Sequence, residues 1–383
     1  MKILIAPASF KGSIISKDIS SAIVRGIRKV KKNIVVKESP IADGGMGTLD
    51  IITEHFKGKY ITCYVTNPLG KKIKTKFGII QNKKLAIIEL AQAAGLHLIP
   101  ENSRNPLKST TIGVGDLIKE SIRMGSKKII IGVGDSGTID CGIGALAALG
   151  VNFLDRNSKP VELTCSGLLK LKKIDATAVN SLKKSVEFII LADVANPLTG
   201  KKGAIVYAPQ KGAKDEDLPL IARALKNFKK IIFNQYKIDL DRIRGTGAAG
   251  GIAGGMYAIL NAKIVSGFDY FKKIFNLNKK VKNADLVITG EGKIDKTTFS
   301  GKATGRIINL CKKYRKPVII VCGDYDRNLD LRKYGVIKIY SLIEITKNKK
   351  RAINNAHQLL ERIGVQIAET SSSLLSTLLL TLL

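Results

Sequence analysis

The sequence predicts an α/β protein of two domains. A parallel-sheet domain is assembled from both ends of the chain, residues 1–56 and 268–383, and a mixed-sheet α/β domain, residues 57–267, is inserted between them. Three observations carry this. Short apolar runs alternate with amphipathic helical stretches near both termini, the pattern of parallel strands with crossover helices. Over residues 59–89 the texture changes to alternating β-branched and polar residues around Asn67-Pro68-Leu69-Gly70 and Gln81-Asn82, which marks antiparallel strands and turns. Finally, 383 residues is long for one hydrophobic core.

The elements follow in order. Residues 2–6 form an apolar strand, and residues 16–29 carry Ile19, Ala22, Ile23 and Ile27 at helical spacing. The loop between them, with Lys11, sits at a positive helix N-terminus and is a candidate anion site. A second strand at 34–36 leads to Asp43 and three glycines (Gly44, Gly45, Gly47), then to a helix over 48–55. Helices are expected at 90–95 and 110–124. A buried strand at 128–131 runs into a glycine-rich loop at 132–140 and a Gly/Ala-rich helix at 141–150, the recurring arrangement of a phosphate cradle. Gly134, Ser136 and Thr138 are its candidate contacts. The loop is neither a Walker A sequence nor a dinucleotide fingerprint.

The strand at 186–191 ends near Asp193, where open α/β sheets place ligand chemistry. Residues 207–213 present Gln210 and Lys211 on a loop. Residues 244–251, beginning Arg244-Gly245-Thr246-Gly247, form a second glycine-rich loop entering a small-residue helix, with Gly245 and Gly247 as anion contacts. The strand at 286–289 delivers the glycine-bracketed carboxylate Gly290-Glu291-Gly292, followed by Asp295, Thr297, Thr298, Ser300 and Lys302. Strands at 318–321 and 336–340 and a helix at 354–363 close the chain.

Composition bounds the function classes. Hydrophobic residues make up 45% and charged residues 25%, ordinary for a soluble globular protein. A formal charge of +33, from 64 basic and 31 acidic residues, admits a basic nucleic-acid-binding protein as the non-enzyme reading. Against it, the lysines are scattered in doublets such as Lys31-Lys32 and Lys279-Lys280, and aromatics are only 5%, few for stacking bases. No nucleic-acid partner is therefore expected. Five cysteines without a CxxC pair, and three histidines far apart, point to reduced thiols in a cytoplasmic protein and to no zinc site. The apolar run before Pro7 is too short for a signal peptide, and residues 374–383 are too few to span a bilayer, so no membrane partner is expected.

Taken together, the motifs resemble one family. APASFKGS, ADGGMGT, NPLGKKI, AIIELAQAAGL, NPLKSTTIGVGDLI, GVGDSGTIDCGIGALAALG, ADVANPLTGKKGA, YAPQKGA, GTGAAGGIAGGMYAIL and DLVITGEGKIDKTTFSGKA occur in the order found in bacterial-type glycerate kinases, from residue 3 to about 322. The resemblance implies a flavodoxin-like domain with a second α/β domain inserted, and an active site in the cleft between them. It implies ATP with Mg²⁺, D-glycerate as the small-molecule substrate, and 2-phosphoglycerate rather than 3-phosphoglycerate as product. Phosphoryl transfer requires cations, oxygen-holding donors and a positioned acceptor hydroxyl. On that requirement Asp193, Glu291, Asp295 and Lys302 are the catalytic candidates, with Asp193 and Glu291 as Mg²⁺ ligands. Lys11, Gly134, Ser136, Thr138, Gly245 and Gly247 are the phosphate contacts, and Lys211 or Arg244 meets the glycerate carboxylate. Which carboxylate is base and which is ligand stays open, as does the oligomeric state.

The chain departs from the family pattern at several motif positions. Ala8 stands for Asp, Met46 for Glu in the ADGG motif, and Ala195 for an acid or amide. The usual GGSATNDGG appears as GDSGTIDCG, so Ile139 replaces Asn and Asp135 is gained. The alternative readings are a glycerate-kinase-like protein with weak or lost activity, and a kinase of another small hydroxy acid.

Overall fold

The computed structural model describes residues 1–10, 12–299 and 301–381. It divides into two compact units, residues 1–43 with 268–383, and residues 44–267.

The terminal unit holds a five-stranded, wholly parallel sheet in the order Val336–Ser341, Val318–Cys322, Leu286–Thr289, Lys2–Ile5, Val35–Glu38. Counted along the chain, this is the flavodoxin order 2-1-3-4-5. Leu286–Thr289 and Val318–Cys322 are buried along their whole length, which explains why they read as continuous apolar runs: helices cover both faces of a parallel sheet. The helix Ser16–Val30 turns Ile19, Ile23 and Ile27 toward the same core as Leu360, Ile363 and Ile367 of the long helix Ala356–Thr381. The two helices touch backbone to backbone, because a Cβ at Gly26 would run into the Glu361 carbonyl and one at Gly364 into the Ile23 carbonyl. Glu361 also pairs with Lys29 at 2.5 Å and with Arg25 at 3.4 Å.

The inserted unit is built on a six-stranded mixed sheet, Lys263–Val265, Glu187–Leu191, Lys128–Gly132, Leu85–Glu89, Lys72–Ile80, Lys59–Thr66. The first four strands are parallel and the last two antiparallel. The hairpin turn is set by Asn67, whose Oδ1 accepts from the Leu69 and Lys71 amides, with Gly70 left-handed at φ 81°. The helix Thr48–His55 belongs to this unit, whereas the sequence pattern draws the boundary after residue 56. Its Leu49 and Ile52 are buried, and it packs on Lys72–Ile80 and Leu85–Glu89 so closely that a Cβ at Gly78 would strike Thr53. Strand and helix alternate unbroken across residues 34–55, so only the partner of the helix's apolar face reveals which sheet it covers. Among the described residues no helix is long and apolar enough to cross a membrane.

Gly26→Ala should lower stability by about 1–3 kcal/mol in urea unfolding, the usual cost of overpacking. Lys29→Ala, which removes only an exposed ion-pair partner, should cost less than about 1 kcal/mol.

Candidate active site

In the terminal unit, Lys2–Ile5 and Leu286–Thr289 are neighbours from which the chain departs toward opposite edges of the sheet. Such a switch point leaves a crevice beyond the strand ends, the place where open α/β sheets bind ligands. The two loops leaving it are tied together. The Ala6 amide donates to the Ile288 carbonyl and the Ala8 amide to the Gly290 carbonyl, both at 2.8 Å, and the Thr289 hydroxyl donates to the Ala6 carbonyl at 2.8 Å. Gly290 must be glycine, because a Cβ there would fall on the Val321 carbonyl oxygen.

Glu291 follows. Its side chain is only 14% exposed, and its Oε1 is buried with no hydrogen-bond partner among the described residues. Lys302 Nζ stands 3.6 Å from Glu291 Oε2 and 3.9 Å from Asp295 Oδ1. Burial pushes the Glu291 carboxyl above its ordinary range, with the Lys302 charge pulling back. Asp295 is held below its ordinary range, chiefly by the Thr297 hydroxyl. Lys302 directly precedes the helix Ala303–Lys313, which is anchored to the same loop where the Thr304 hydroxyl donates to the Gly290 carbonyl at 3.0 Å. The structure therefore brings Glu291, Asp295 and Lys302 together. Lys11 lies outside the described residues.

In the inserted unit, Glu89, Gly132, Leu191 and Val265 end the four parallel strands, so the loops that follow them gather at one end of the sheet. The glycine loop after Gly132 is held from beneath by two buried charged groups. Asp140 is fully buried and accepts from the Thr111 amide (2.8 Å) and hydroxyl (2.7 Å) and from the Gly142 and Gly144 amides (3.0 and 3.3 Å). Burial raises its pKa, and these bonds oppose the rise. Lys211 is 5% exposed, and its Nζ donates to Ser136 Oγ at 2.7 Å and to the Thr138 carbonyl at 2.8 Å. Burial lowers the Lys211 pKa to about 7, against the pull of Asp140. Lys211 thus sits under the loop that carries Gly134, Ser136 and Thr138, whereas Arg244 is exposed.

The loop is also locked to its neighbours. The Gly134 amide donates to the Gly44 carbonyl at 2.9 Å. The Cys141 amide donates to the Gly250 carbonyl at 3.1 Å, and a Cβ at Gly250 would strike the Thr138 carbonyl. In the second glycine loop Gly245 is left-handed at φ 85°, and the Gly247 amide donates to the Asn196 carbonyl at 3.0 Å. Asp193 accepts from the Ser266 hydroxyl at 2.7 Å, across the ends of adjacent strands.

Sequence reading missed Glu89. Its Oε2 accepts from the Gly47 and Leu49 amides, both at 3.1 Å, at the start of Thr48–His55, where Gly47 has no side chain to cap with. It is 2% exposed, and burial raises its pKa to about 7. The available signal was an acid closing an otherwise apolar strand, LAIIE.

A flavodoxin-order sheet with a charged switch point is thus joined in sequence to a mixed-sheet unit carrying two interlocked glycine loops. The chain belongs to the glycerate kinase family, whose model matches residues 3–372. It is 37% identical to a glycerate kinase of Halalkalibacterium halodurans over 97% of this chain and 98% of that protein. It is 34% identical to the glycerate 2-kinase of Escherichia coli over 97% and 98%. A crystal structure from Salmonella typhimurium, described as a glycerate kinase 2, superposes with a TM-score of 0.82 at 34% identity, covering 97% of this chain and 98% of that one.

The two buried titrating groups give a signed pH prediction. Glu89 has its folded pKa near 7 against an ordinary 4.5, so the native state holds the extra proton and stability falls as pH rises between these values, by about 3 kcal/mol. Lys211 has its folded pKa near 7 against 10.5, so between them the unfolded state binds more protons and stability rises with pH. Relative to wild type, Glu89→Gln should flatten the falling limb below pH 7 and Lys211→Met the rising limb above it, in urea unfolding followed from pH 5 to 10.

Proposed function

We propose that this protein transfers the γ-phosphoryl group of ATP to D-glycerate, with 2-phosphoglycerate as product. The observation that carries the reading is the switch-point carboxylate Glu291, mostly buried, with one oxygen lacking a partner among the described residues and a lysine beside the other. The relatives' names support glycerate as acceptor, and the Escherichia coli relative's name supports the 2-position.

In the reaction the acceptor hydroxyl oxygen bonds to the γ-phosphorus as the bridging bond to ADP breaks, and the hydroxyl proton passes to a carboxylate, for which Asp193, Glu291 and Asp295 are the candidates. Such a transition state is loose, so the protein contributes mainly position and charge. The terminal unit supplies Lys302 as a cation for the phosphate oxygens, and Asp295 and Glu291 hold the lysine in place. The inserted unit carries the glycine loops at Gly134–Thr138 and Gly245–Gly247 as candidate phosphate cradles; the Gly134, Gly137 and Gly247 amides are already bonded to the Gly44, Ala94 and Asn196 carbonyls, so the donors there are other groups of these loops. Lys211 acts from beneath by fixing Ser136 and Thr138, which leaves exposed Arg244 as the partner for the glycerate carboxylate.

Mg²⁺ takes hard oxygen ligands and often only one or two protein carboxylates. The buried Oε1 of Glu291, which has no hydrogen-bond partner among the described residues, fits that requirement in the terminal unit; Asp193 is the candidate carboxylate of the inserted unit. Bound there, the cation would neutralise charge on the phosphates. The replaced motif positions do not all weigh against turnover. Ile139 is fully buried in the inserted unit's core, so its side chain serves packing.

With ATP and D-glycerate, turnover should fall about 100-fold or more in Glu291→Gln and about tenfold in Lys302→Met, with folding unchanged. Lactate, tartronate and hydroxypyruvate should be poor acceptors. Wild-type-like rates in Glu291→Gln would remove that residue from the mechanism, and faster turnover of lactate would reassign the substrate.

A further inference from the structure

A recess of about 260 Å³ opens in the terminal unit between the helices Gly267–Ile274 and Ala303–Lys313. It is lined by Phe268, Lys272, Arg306, Asn309, Leu310 and Lys313, all within that unit. Helical spacing brings them together. Phe268 and Lys272 lie one turn apart on the first helix, and Arg306, Asn309, Leu310 and Lys313 share one face of the second. The facing sides of two neighbouring helices are ordinarily apolar. Here Phe268 and Leu310 are buried, whereas three cations and an amide take the remaining places. The lining includes none of Glu291, Asp295 and Lys302.

One of the cations is fixed in advance. The Arg306 guanidinium lies over the Phe268 ring, 4.4 Å from its centroid, and its Nη2 donates to Asp269 Oδ1 at 2.6 Å. Stacked on a ring and tied at one edge, its planar fork keeps a set orientation. The charges also fail to cancel. Asp269 offsets Arg306, whereas among the described residues neither Lys272 nor Lys313 has an ion-pair partner; Lys313 lies over the Tyr314 ring, 5.7 Å from its centroid. Three cations against one carboxylate leave two positive charges facing one small space. Such a cluster repels itself, and a bound anion both relieves the repulsion and gains charge-assisted hydrogen bonds.

We propose that this recess binds a small phosphomonoester as its dianion. A guanidinium fork flanked by two ammonium groups matches the charge and the acceptor oxygens of a phosphoryl group. Asn309 can donate or accept toward the rest of the molecule, and Phe268 and Leu310 form an apolar floor for a short carbon chain. The volume falls below the roughly 300–1,000 Å³ of sites for drug-sized ligands, so the occupant carries only a few carbons. The inference goes beyond the kinase reading and does not depend on it.

The test titrates the full chain with glycerol 2-phosphate and follows the backbone amide signals of Asn309 and Leu310 by NMR. The shifts should saturate, with affinity falling about tenfold or more in the double variant Lys272→Gln/Lys313→Gln and in Arg306→Lys, which keeps the charge but loses the fork. Affinity should also fall about tenfold from pH 7.5 to pH 5, because the second phosphate pKa of about 6 removes the dianion. Lys172→Gln/Lys173→Gln takes the same charge from exposed positions of the inserted unit and should stay within about twofold of wild type. Lys302→Met, which alters the candidate active site, should bind as wild type does. Shifts that do not saturate, or an equal loss in the Lys172/Lys173 variant, would reduce the effect to general charge attraction and overturn the proposal. Equal affinity for inorganic phosphate or malonate would overturn it too, by showing an anion site that does not select a phosphomonoester.

Discussion

The inserted unit depends on two charged groups buried beneath one glycine loop. Asp140 gathers three amides and a hydroxyl, and Lys211 reaches Ser136 and the Thr138 carbonyl. Neither group can be buried cheaply alone, since an unpaired charge in an apolar setting carries a penalty of several kcal/mol. Each is tolerated because its hydrogen bonds are satisfied and because the opposite charge is near. The result is a loop whose backbone is fixed while its glycines keep the surface free of side chains. That is what an anion cradle needs, because donors that are already aimed lose nothing to reorganisation when charge moves.

The terminal unit reaches its chemistry by topology. Strand order 2-1-3-4-5 sends the connections from Lys2–Ile5 and Leu286–Thr289 to opposite edges, and the crevice left between them receives Glu291. The carboxylate is placed by Gly290, which alone can pass the Val321 carbonyl, and Lys302 is placed by the start of its helix. The pair is neither a surface salt bridge nor a dry one. At 3.6 Å, with the lysine 43% exposed, it holds charge in position while leaving Glu291 Oε1 without a partner among the described residues.

Much of this was legible in the sequence, and the exceptions share a cause. Strands, glycine loops and the Gly290-Glu291-Gly292 bracket are written in local patterns, and the wholly parallel sheet follows from the alternation at both termini. What local pattern cannot give is the partner across space. Lys211 lies on a loop of unremarkable polarity, and its burial comes from the fold around it. Glu89 looks like a strand-ending acid until the helix start at Gly47 arrives to meet it. Helix Thr48–His55 joins the inserted unit because its apolar face finds Lys72–Ile80, a pairing the alternation of elements does not encode. Ile139 looks like a lost polar contact in the motif and is core in the structure.

The most direct measurement of the central claim is phosphorus NMR of the wild-type protein with ATP, Mg²⁺ and D-glycerate. ADP should appear together with one new phosphomonoester resonance, assigned to 2-phosphoglycerate by its coupling to the C2 proton. Release of inorganic phosphate without an ester, or no change in the ATP resonances, would contradict the claim.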